Sequence, residues 1–281
     1  MTLPVDFQFS QSSLQDYVDC SRRFQLRYIR RLRWPAIEML PSLENERYLR
    51  QGAAFHRLVR QHLMGLPLQT LRRSVTDPEL RRWWRNYVER GLIDLPSRRY
   101  PEVRLSTSLG DVRLVAQYDL VATGPGERVV IVDWKTNRKL PSRERLSERL
   151  QTRVYPYVIV RSGDALDVGP TGPDDVTMVY WFANFPSAPV RFAYTADQYR
   201  ADERYLSHLV DQIVHALDEC SEGDLLPPTQ DDAHCRICRY RSLCERGVEP
   251  GWGDAGERGK TPDELFDVAL DFEQIGELEL G

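Results

Sequence analysis

The sequence has no long hydrophobic run, no internal repeat and no low-complexity tract. None of its apolar stretches approaches the roughly 18 residues of a membrane-spanning helix. Its opening residues, Met-Thr-Leu-Pro-Val-Asp, do not have the pattern of a secretory signal peptide. We therefore expect a cytoplasmic protein without membrane association. With 281 residues, 41% of them hydrophobic, the chain can bury a core in one large or two small domains.

Cysteine is scarce, and three of the five cysteines stand close together. Thiols stay reduced in the cytosol, so this group indicates metal binding before disulfides. The three form a C-x2-C-x5-C pattern within 234–244, which needs a fourth ligand. Cys20 or Cys220 could supply a fourth thiol, or His234 could complete a Cys3His zinc site. On these residues alone, zinc and iron–sulfur fit equally well.

Neither sign of charge dominates, since 38 Lys and Arg oppose 42 Asp and Glu. The net charge of −4 is unevenly spread: from Glu249 onward ten acids face two bases, which gives −8 and leaves +4 on the rest. The segment 249–281 is therefore predicted to be an acidic linker and tail. The body is arginine-rich, and its run from Arg22 to Arg33 is typical either of a solvated helix face or of a face that contacts phosphates.

The most informative stretch is a run of four β-branched residues, Val129 to Val132, that leads into Asp133-Trp-Lys135. A continuous apolar run of this kind is typical of a strand buried on both faces. Side chains two residues apart in a strand point to the same face, so Asp133 and Lys135 are expected to share one. The pair forms either a strand-end salt bridge or part of a catalytic site.

A second strand, predicted over 112–122, precedes this one across a Gly/Pro-rich turn. The hairpin would set Asp119 beside Asp133, and Glu102 on the strand before is expected just behind them. Two carboxylates next to the ammonium of Lys135 suit a hard divalent cation, Mg²⁺ or Mn²⁺. The lysine would then interact with a water or a phosphate oxygen.

Two predicted helices carry further polar residues. The first, over 43–64, contains His56, which taken alone is more typical of a packed or surface histidine than of a ligand. The second, over 142–160, places Gln151 and Tyr155 on one face because they are four residues apart. These two residues could line the same cleft or form a surface hydrogen-bond pair.

Taken together and in order, six short motifs resemble the PD-(D/E)XK nuclease superfamily and, within it, the RecB-like and CRISPR-associated Fe–S exonucleases. They run through almost the whole chain, and each is weak or moderate alone. The motifs are the cysteine motif Ser12-Ser-Leu-Gln-Asp-Tyr-Val-Asp-Cys20, the helix Gly52-Ala-Ala-Phe-His56, Asp119, Asp133-Trp-Lys-Thr136, Gln151-Thr-Arg-Val-Tyr155, and the triplet Cys235, Cys238 and Cys244.

This resemblance implies an α/β fold, with a restriction-endonuclease-like core whose mixed central sheet is flanked by helices. It also implies a helical Fe–S cap that joins the N- and C-terminal segments. The expected organisation is an N-terminal helical region over 1–100, a nuclease core over 101–222, a cysteine segment over 223–248 and the acidic tail over 249–281.

The resemblance further implies two metal sites and a catalytic set. A magnesium or manganese ion would be held by His56, Asp119, Asp133 and the backbone carbonyl of Trp134. Catalysis would be carried by Asp119, Asp133, Lys135, Gln151 and Tyr155. A [4Fe–4S] cluster, with Zn²⁺ as the less favoured occupant, would be bound by Cys20, Cys235, Cys238 and Cys244.

The function implied is metal-dependent hydrolysis of DNA, by an exonuclease acting on single strands or DNA ends, in the company of repair or CRISPR adaptation proteins. The alternative is a non-catalytic Fe–S subunit that only binds DNA. The joint presence of Asp119, Asp133 and Lys135 favours the enzyme, because a decayed site has little reason to keep all three. A redox sensor is a third class that the sequence does not separate from a structural cluster.

Overall fold

The computed structural model describes residues 1–33, 41–91, 95–124, 128–166, 171–235 and 238–246, without the side chains of 41–46. The predicted acidic tail over 249–281 lies outside the described residues. The chain divides into two compact units. One draws its residues from Met1–Phe7, Ser12–Leu43 and His208–Gly281, and the other from Gln8–Gln11 and Glu44–Ser207. The expected division into four consecutive segments stays a prediction. Among the described residues, no helix combines the length and apolar character needed to cross a membrane.

Within the described residues, six strands form one mixed sheet in the second unit. They are β1 (Gln8–Ser10), β2 (Arg98–Leu109), β3 (Val112–Thr123), β4 (Val129–Lys135), β5 (Val176–Phe182) and β6 (Val190–Ala193). β3 pairs antiparallel with β2 along one edge, while parallel β1 and antiparallel β4 pair with opposite ends of β3. β5 runs parallel to β4, and β6 runs antiparallel to β5.

The helices of the described chain are α1 (Gln11–Asp19), α2 (Ser21–Phe24) with a π-helical turn over Gln25–Ile29, α3 (Pro41–Leu63), α4 (Leu68–Ser74), α5 (Pro78–Arg90), α6 (Arg143–Ser147), α7 (Leu150–Ser162) and α8 (Ala196–Glu219). The helix predicted over 43–64 is present over Pro41–Leu63. The single helix predicted over 142–160 is in fact two helices. The break lies at the extended backbone of Arg149, and Pro156 sits inside α7 without ending it.

β4 is the most deeply placed strand, because every one of its residues is buried. α7 packs on the sheet through β2, β3 and β5. Aromatic side chains of α3 and α5 also pack on it: the ring of Phe55 lies 6.4 Å from that of Trp181, and the ring of Tyr87 lies 5.4 Å from that of Trp134. The predicted α/β class, with a mixed sheet flanked by helices, is confirmed.

The arginine run near the N-terminus serves the interior of the first unit. Asp16, only 1% exposed, forms salt bridges with Arg23 at 2.8 Å and with Arg27 at 3.1 Å. A buried carboxylate needs such partners because its desolvation is costly. These two arginines are therefore held by a buried acid, and neither of the two readings of the run describes them.

Other side chains of the same N-terminal region form hydrogen bonds with backbone groups near residue 225. The side-chain amide of Gln25 donates to the carbonyl of Asp224 at 3.0 Å and accepts from the N–H of Leu226 at 2.7 Å. Arg22 donates to the carbonyl of Leu226 at 2.8 Å, and Arg30 donates to that of Asp224. Segments about 200 residues apart in sequence are thus joined by polar contacts of protein atoms alone.

Replacing Asp16 with alanine is expected to destabilise the first unit strongly, because the substitution leaves the cations of Arg23 and Arg27 without their buried partner. We expect a loss of about 3 kcal/mol in the free energy of unfolding. Asp197→Ala is the matched control, since Asp197 is 92% exposed in its pair with Arg200 and should cost less than about 1 kcal/mol. Urea unfolding followed by circular dichroism measures both, and equal losses would contradict this assignment.

Candidate functional site

An acid and a lysine end β4 as a buried pair. The ammonium nitrogen of Lys135 lies 2.8 Å from Oδ2 of Asp133, and the two side chains are 8% and 5% exposed. Both point to one face, as the period of the strand predicts. Burying two charges costs several kcal/mol for each ion unless further contacts compensate. The neighbours of the pair therefore matter as much as the pair itself.

Asp119 approaches this pair from β3. The antiparallel register pairs Leu120, which follows Asp119, with Val132, which precedes Asp133. Oδ2 of Asp119 accepts the backbone N–H of Trp134 at 2.8 Å, and Oδ1 lies 3.2 Å from Nδ1 of His56 on α3. The structure thus places Asp119 against the same end of β4 that carries Asp133.

The electrostatics show that these groups converge. Burial lowers the pKa of His56, but the nearby Asp119 carboxylate, with Asp133 beyond it, outweighs burial and holds that pKa above its ordinary value. Burial favours the neutral form of Asp119, yet the charge and hydrogen bond of His56 hold the pKa of Asp119 below its usual range. Lys135 acts on both groups. The cluster thus favours the ionised form of Asp119.

Gln151 at the start of α7 closes one side of the cluster. Its amide nitrogen donates to Oδ1 of Asp133 at 2.5 Å, and the side chain is buried. Its oxygen Oε1 is buried without a hydrogen-bond partner among the described residues. Tyr155 is also buried; its ring lies 4.8 Å from that of Tyr118, whose hydroxyl donates to the Tyr155 carbonyl. Gln151 therefore reaches the acids, while Tyr155 joins α7 to β3.

Tyr180 is a site neighbour that the sequence did not indicate. It pairs with Asp133 in the parallel register of β4 and β5, and its ring centre lies 5.9 Å from the ammonium of Lys135. Its hydroxyl lies 2.7 Å from Oγ1 of Thr152. Burial, with Asp133 nearby, raises the pKa of Tyr180, so the hydroxyl stays neutral. In the sequence, Tyr180 is one residue of an apolar strand, and no local signal gives its register.

Glu102, expected behind the acids, lies next to Asp119. Burial and then the charge of Asp119 raise the pKa of Glu102, and Gln117 donates to its carboxylate at 3.2 Å. Its backbone has a φ of +52°, which lies in the left-handed region. Residues other than glycine adopt this region at an energetic cost. The conformation is therefore maintained by the surrounding strands.

The donor chemistry of the cluster fits a magnesium or manganese ion, because carboxylate oxygens are what these cations prefer. Among the described residues, however, no group of three or more His, Cys, Asp or Glu side chains stands ready to hold a metal. The reason is local: Asp133 contacts Lys135 and Gln151, and Asp119 contacts His56 and a backbone N–H. Binding a cation thus requires exchanging some of these contacts.

The predicted cluster cysteines line one cavity in the first unit. Cys20, Cys235, Cys238 and Cys244 face it, together with His234. Cys220 is not among its lining residues, and its sulfur lies 3.5 Å from the carbonyl of Asp224 instead. Thiol and imidazole are the ligand types of either occupant considered from the sequence, an iron–sulfur cluster or zinc. These side chains too, however, do not stand as a ready metal-holding group among the described residues.

Donors already point at two of these sulfurs. The backbone N–H of Thr229 lies 3.4 Å from the sulfur of Cys20, and Arg246 lies 4.0 Å from that of Cys235. Hydrogen bonds of this kind tune thiolates that bind metals. Burial raises the pKa of Cys238 to about 11, and the charges of Cys20 and Cys235 add to it, which places all three near one another.

A family model described as the PD-(D/E)XK nuclease superfamily matches residues 8–245. A solved structure from Eubacterium rectale, described as "Putative exonuclease", aligns with a TM-score of 0.51 at 9% identity, covering 86% of this chain and 90% of that one. A second, described as SSO0001, aligns with a TM-score of 0.42 at 10% identity, covering 86% and 87%. No curated protein matches the chain.

If the carboxylates of β3 and β4 bind magnesium, Mg²⁺ should stabilise the folded protein. At ten times its dissociation constant, a ligand of the folded state adds about 1.4 kcal/mol, which corresponds to a rise of about 3–5 °C in Tm. Asp119→Asn should remove this rise, whereas Asp197→Asn on the exposed surface should retain it. Differential scanning calorimetry with and without Mg²⁺ measures the shift, and a full shift in Asp119→Asn would disprove the site.

Proposed function

The chain belongs to the PD-(D/E)XK nuclease superfamily, and we propose that it is a deoxyribonuclease, an exonuclease that acts with Mg²⁺ or Mn²⁺ on single-stranded DNA or DNA ends. As a nuclease it is a phosphodiester hydrolase. The observation that carries the proposal is the convergence of Asp119, Asp133 and Lys135 around His56. This set supplies oxygen ligands for a cation and an amine for the water or the phosphate.

Asp119, Asp133 and His56 would hold the cation, with the backbone carbonyl of Trp134 as the fourth protein ligand. When bound, such an ion supplies a Lewis acid for the scissile phosphate and lowers the pKa of a bound water. The N–H of Trp134 and Nδ1 of His56 now contact the two oxygens of Asp119, and the cation would replace at least one of these contacts.

Lys135 would orient the attacking water as an ammonium, or accept its proton if it reacts as the neutral amine, and its positive charge would counter the negative charge that grows on the phosphate. Its ammonium is held between the Asp133 carboxylate and the ring of Tyr180, so it is positioned before substrate arrives. Gln151 holds Asp133 and presents its oxygen as an acceptor toward the cluster. Tyr155 fixes the helix that carries Gln151.

The second proposed cofactor is a structural [4Fe–4S] cluster bound by Cys20, Cys235, Cys238 and Cys244, with Zn²⁺ as the alternative occupant. The shared cavity of the four cysteines and the separate position of Cys220 support this ligand set. A cluster here would add to the polar contacts between the N- and C-terminal segments of the first unit. Metal binding would then contribute directly to folding.

The proposed setting is the cytoplasm, with DNA as the main partner and repair or CRISPR adaptation proteins as further partners. A subunit that only binds DNA would not need Lys135 buried beside two acids. Because the cluster favours the charged form of Asp119 and buries its lysine against Asp133, the enzyme explains more of the structure.

Removing either charge of the buried pair should abolish most of the activity. For Asp133→Asn and Lys135→Gln we expect the rate of Mn²⁺-dependent cleavage of a labelled single strand to fall at least about 100-fold, since each variant loses a group that acts on the reacting atoms. Arg200→Gln, an exposed substitution, is the control. Undiminished cleavage by either site variant in folded protein would refute the assignment.

If the four cysteines bind an iron–sulfur cluster, the purified protein should be coloured. Anaerobically purified protein should show the broad visible absorption of an iron–sulfur cluster, and Cys20→Ser should lose or strongly reduce it. Cys220→Ser is the matched control, because Cys220 lies outside the cavity, and this variant should keep the absorption. Colourless wild-type protein containing stoichiometric zinc would establish the alternative occupant, and retained colour in Cys20→Ser would exclude Cys20 as a ligand.

A further inference from the structure

We propose that the face of the β2–β3 hairpin turned away from α7 binds single-stranded DNA, with Arg104 and Arg113 contacting phosphates of the strand whose scissile bond lies at Asp119. The inference rests on the proposed function and deepens it by naming a surface that binds the substrate outside the reaction site. The hairpin and the acids of the site belong to the same unit.

Contacts with α7 identify the two faces of the hairpin. The hydroxyl of Tyr118 on β3 donates to the carbonyl of Tyr155 on α7 at 2.9 Å, and the hydroxyl of Thr107 on β2 accepts from Arg161 on α7 at 3.2 Å. Because side chains alternate along a strand, the neighbouring positions point to the other face. We call that set the polar face; it comprises Glu102, Arg104, Ser106 and Ser108 on β2, and Arg113, Val115, Gln117 and Asp119 on β3.

Hydrogen bonds between side chains show that the two arginines share the polar face. Arg113 on β3 donates to the hydroxyl of Ser106 on β2 at 2.9 Å. Arg104 donates to the side-chain oxygen of Gln8 on β1 at 3.2 Å. Since β3 lies between β2 and β1 at this point, the side chain of Arg104 crosses β3. The stem of an arginine can cover apolar surface in this way, and Val115 on the same face is only 6% exposed.

The strand register places Arg104 close to the site. Arg104 pairs directly with Gln117, and Asp119 is two residues further along β3 on the same face. Diagonal neighbours of this kind lie about 7–8 Å apart across an antiparallel pair. Arg113 is four residues from Gln117 in the opposite direction, which corresponds to about 13 Å along the strand. The two arginines therefore mark a line along the hairpin that ends at Asp119.

Both guanidinium groups have donors left for a ligand. Arg104 and Arg113 are exposed, and among the described residues their hydrogen-bond partners are the neutral side chains of Gln8 and Ser106. Each of these bonds uses only part of a guanidinium that has five N–H donors, and its planar fork suits a phosphate. The bonds also order the two side chains, so less entropy is lost when they bind.

The charge of the polar face favours a nucleic-acid strand. The face contains two arginines and, besides Asp119, a single acid, Glu102, whose carboxylate accepts from Gln117 at 3.2 Å. A phosphate backbone carries one negative charge for each nucleotide, so it complements positive charges placed along a line. The N-terminal arginines differ, because Arg23 and Arg27 form salt bridges with a buried acid.

The test is the salt dependence of DNA binding. Affinity for a fluorescent single-stranded oligonucleotide is measured over a range of NaCl, with Ca²⁺ in place of Mg²⁺ to limit cleavage. Each phosphate contact of a single strand contributes about 0.7 to the slope of log K against log salt. Arg104→Gln and Arg113→Gln should therefore each weaken binding and flatten the slope by about 0.7, and the double variant by about 1.4. Arg104→Lys/Arg113→Lys keeps both charges and should retain the slope.

The matched control is Arg200→Gln/Arg204→Gln, which removes the same charge from exposed positions of α8 in the same unit. α8 contacts α7, on the opposite face of the hairpin, through the hydroxyl of Tyr199, which accepts from Arg161 at 3.2 Å. The slope of the control should equal that of the wild type. An unchanged slope in the glutamine double variant, or equal flattening in the control, overturns the polar face as a binding surface while metal-dependent cleavage by the wild type still stands. Wild-type protein that neither binds nor cleaves the strand overturns the proposed function as well.

Discussion

The packing of the second unit around its active-site strand depends on the buried charged pair of Asp133 and Lys135. Both side chains lie at the end of a strand that is buried throughout, where each charge costs several kcal/mol to desolvate. Gln151 from α7 and Tyr180 from β5 offset that cost by contacting the pair. The positions of a helix and a neighbouring strand are therefore tied to two charges, which makes the chemistry of the site and the packing of the core a single constraint.

Arginine serves two different purposes in the two units. In the first unit, Arg23 and Arg27 compensate a buried acid, and Arg22 caps carbonyls of a distant segment. In the second unit, Arg138 and Arg143 lie exposed on the rings of Tyr48 and Phe192. The N-terminal arginines thus support the fold, so a high local content of arginine does not by itself indicate a phosphate-binding surface.

Much of the site could be read from the sequence because its signals are local. The apolar run before Asp133 depends on a few adjacent residues, and it forms the buried strand that it predicts. Tyr180 could not be found in this way, since its place beside Asp133 follows from the parallel pairing of β4 and β5, which α6 and α7 separate in the chain. The roles of the N-terminal arginines depend likewise on carbonyls about 200 residues away.

The charged groups of the cluster also offset one another in part. Two carboxylates, Asp119 and Asp133, lie among the ammonium of Lys135 and the imidazole of His56, whose pKa the acids raise. These contacts reduce the cost of holding such charges inside the core. It also means that the loss of one member leaves another uncompensated, so a substitution changes the fold and the chemistry together. Activity in such variants can be assigned to chemistry only when their free energy of unfolding is measured alongside.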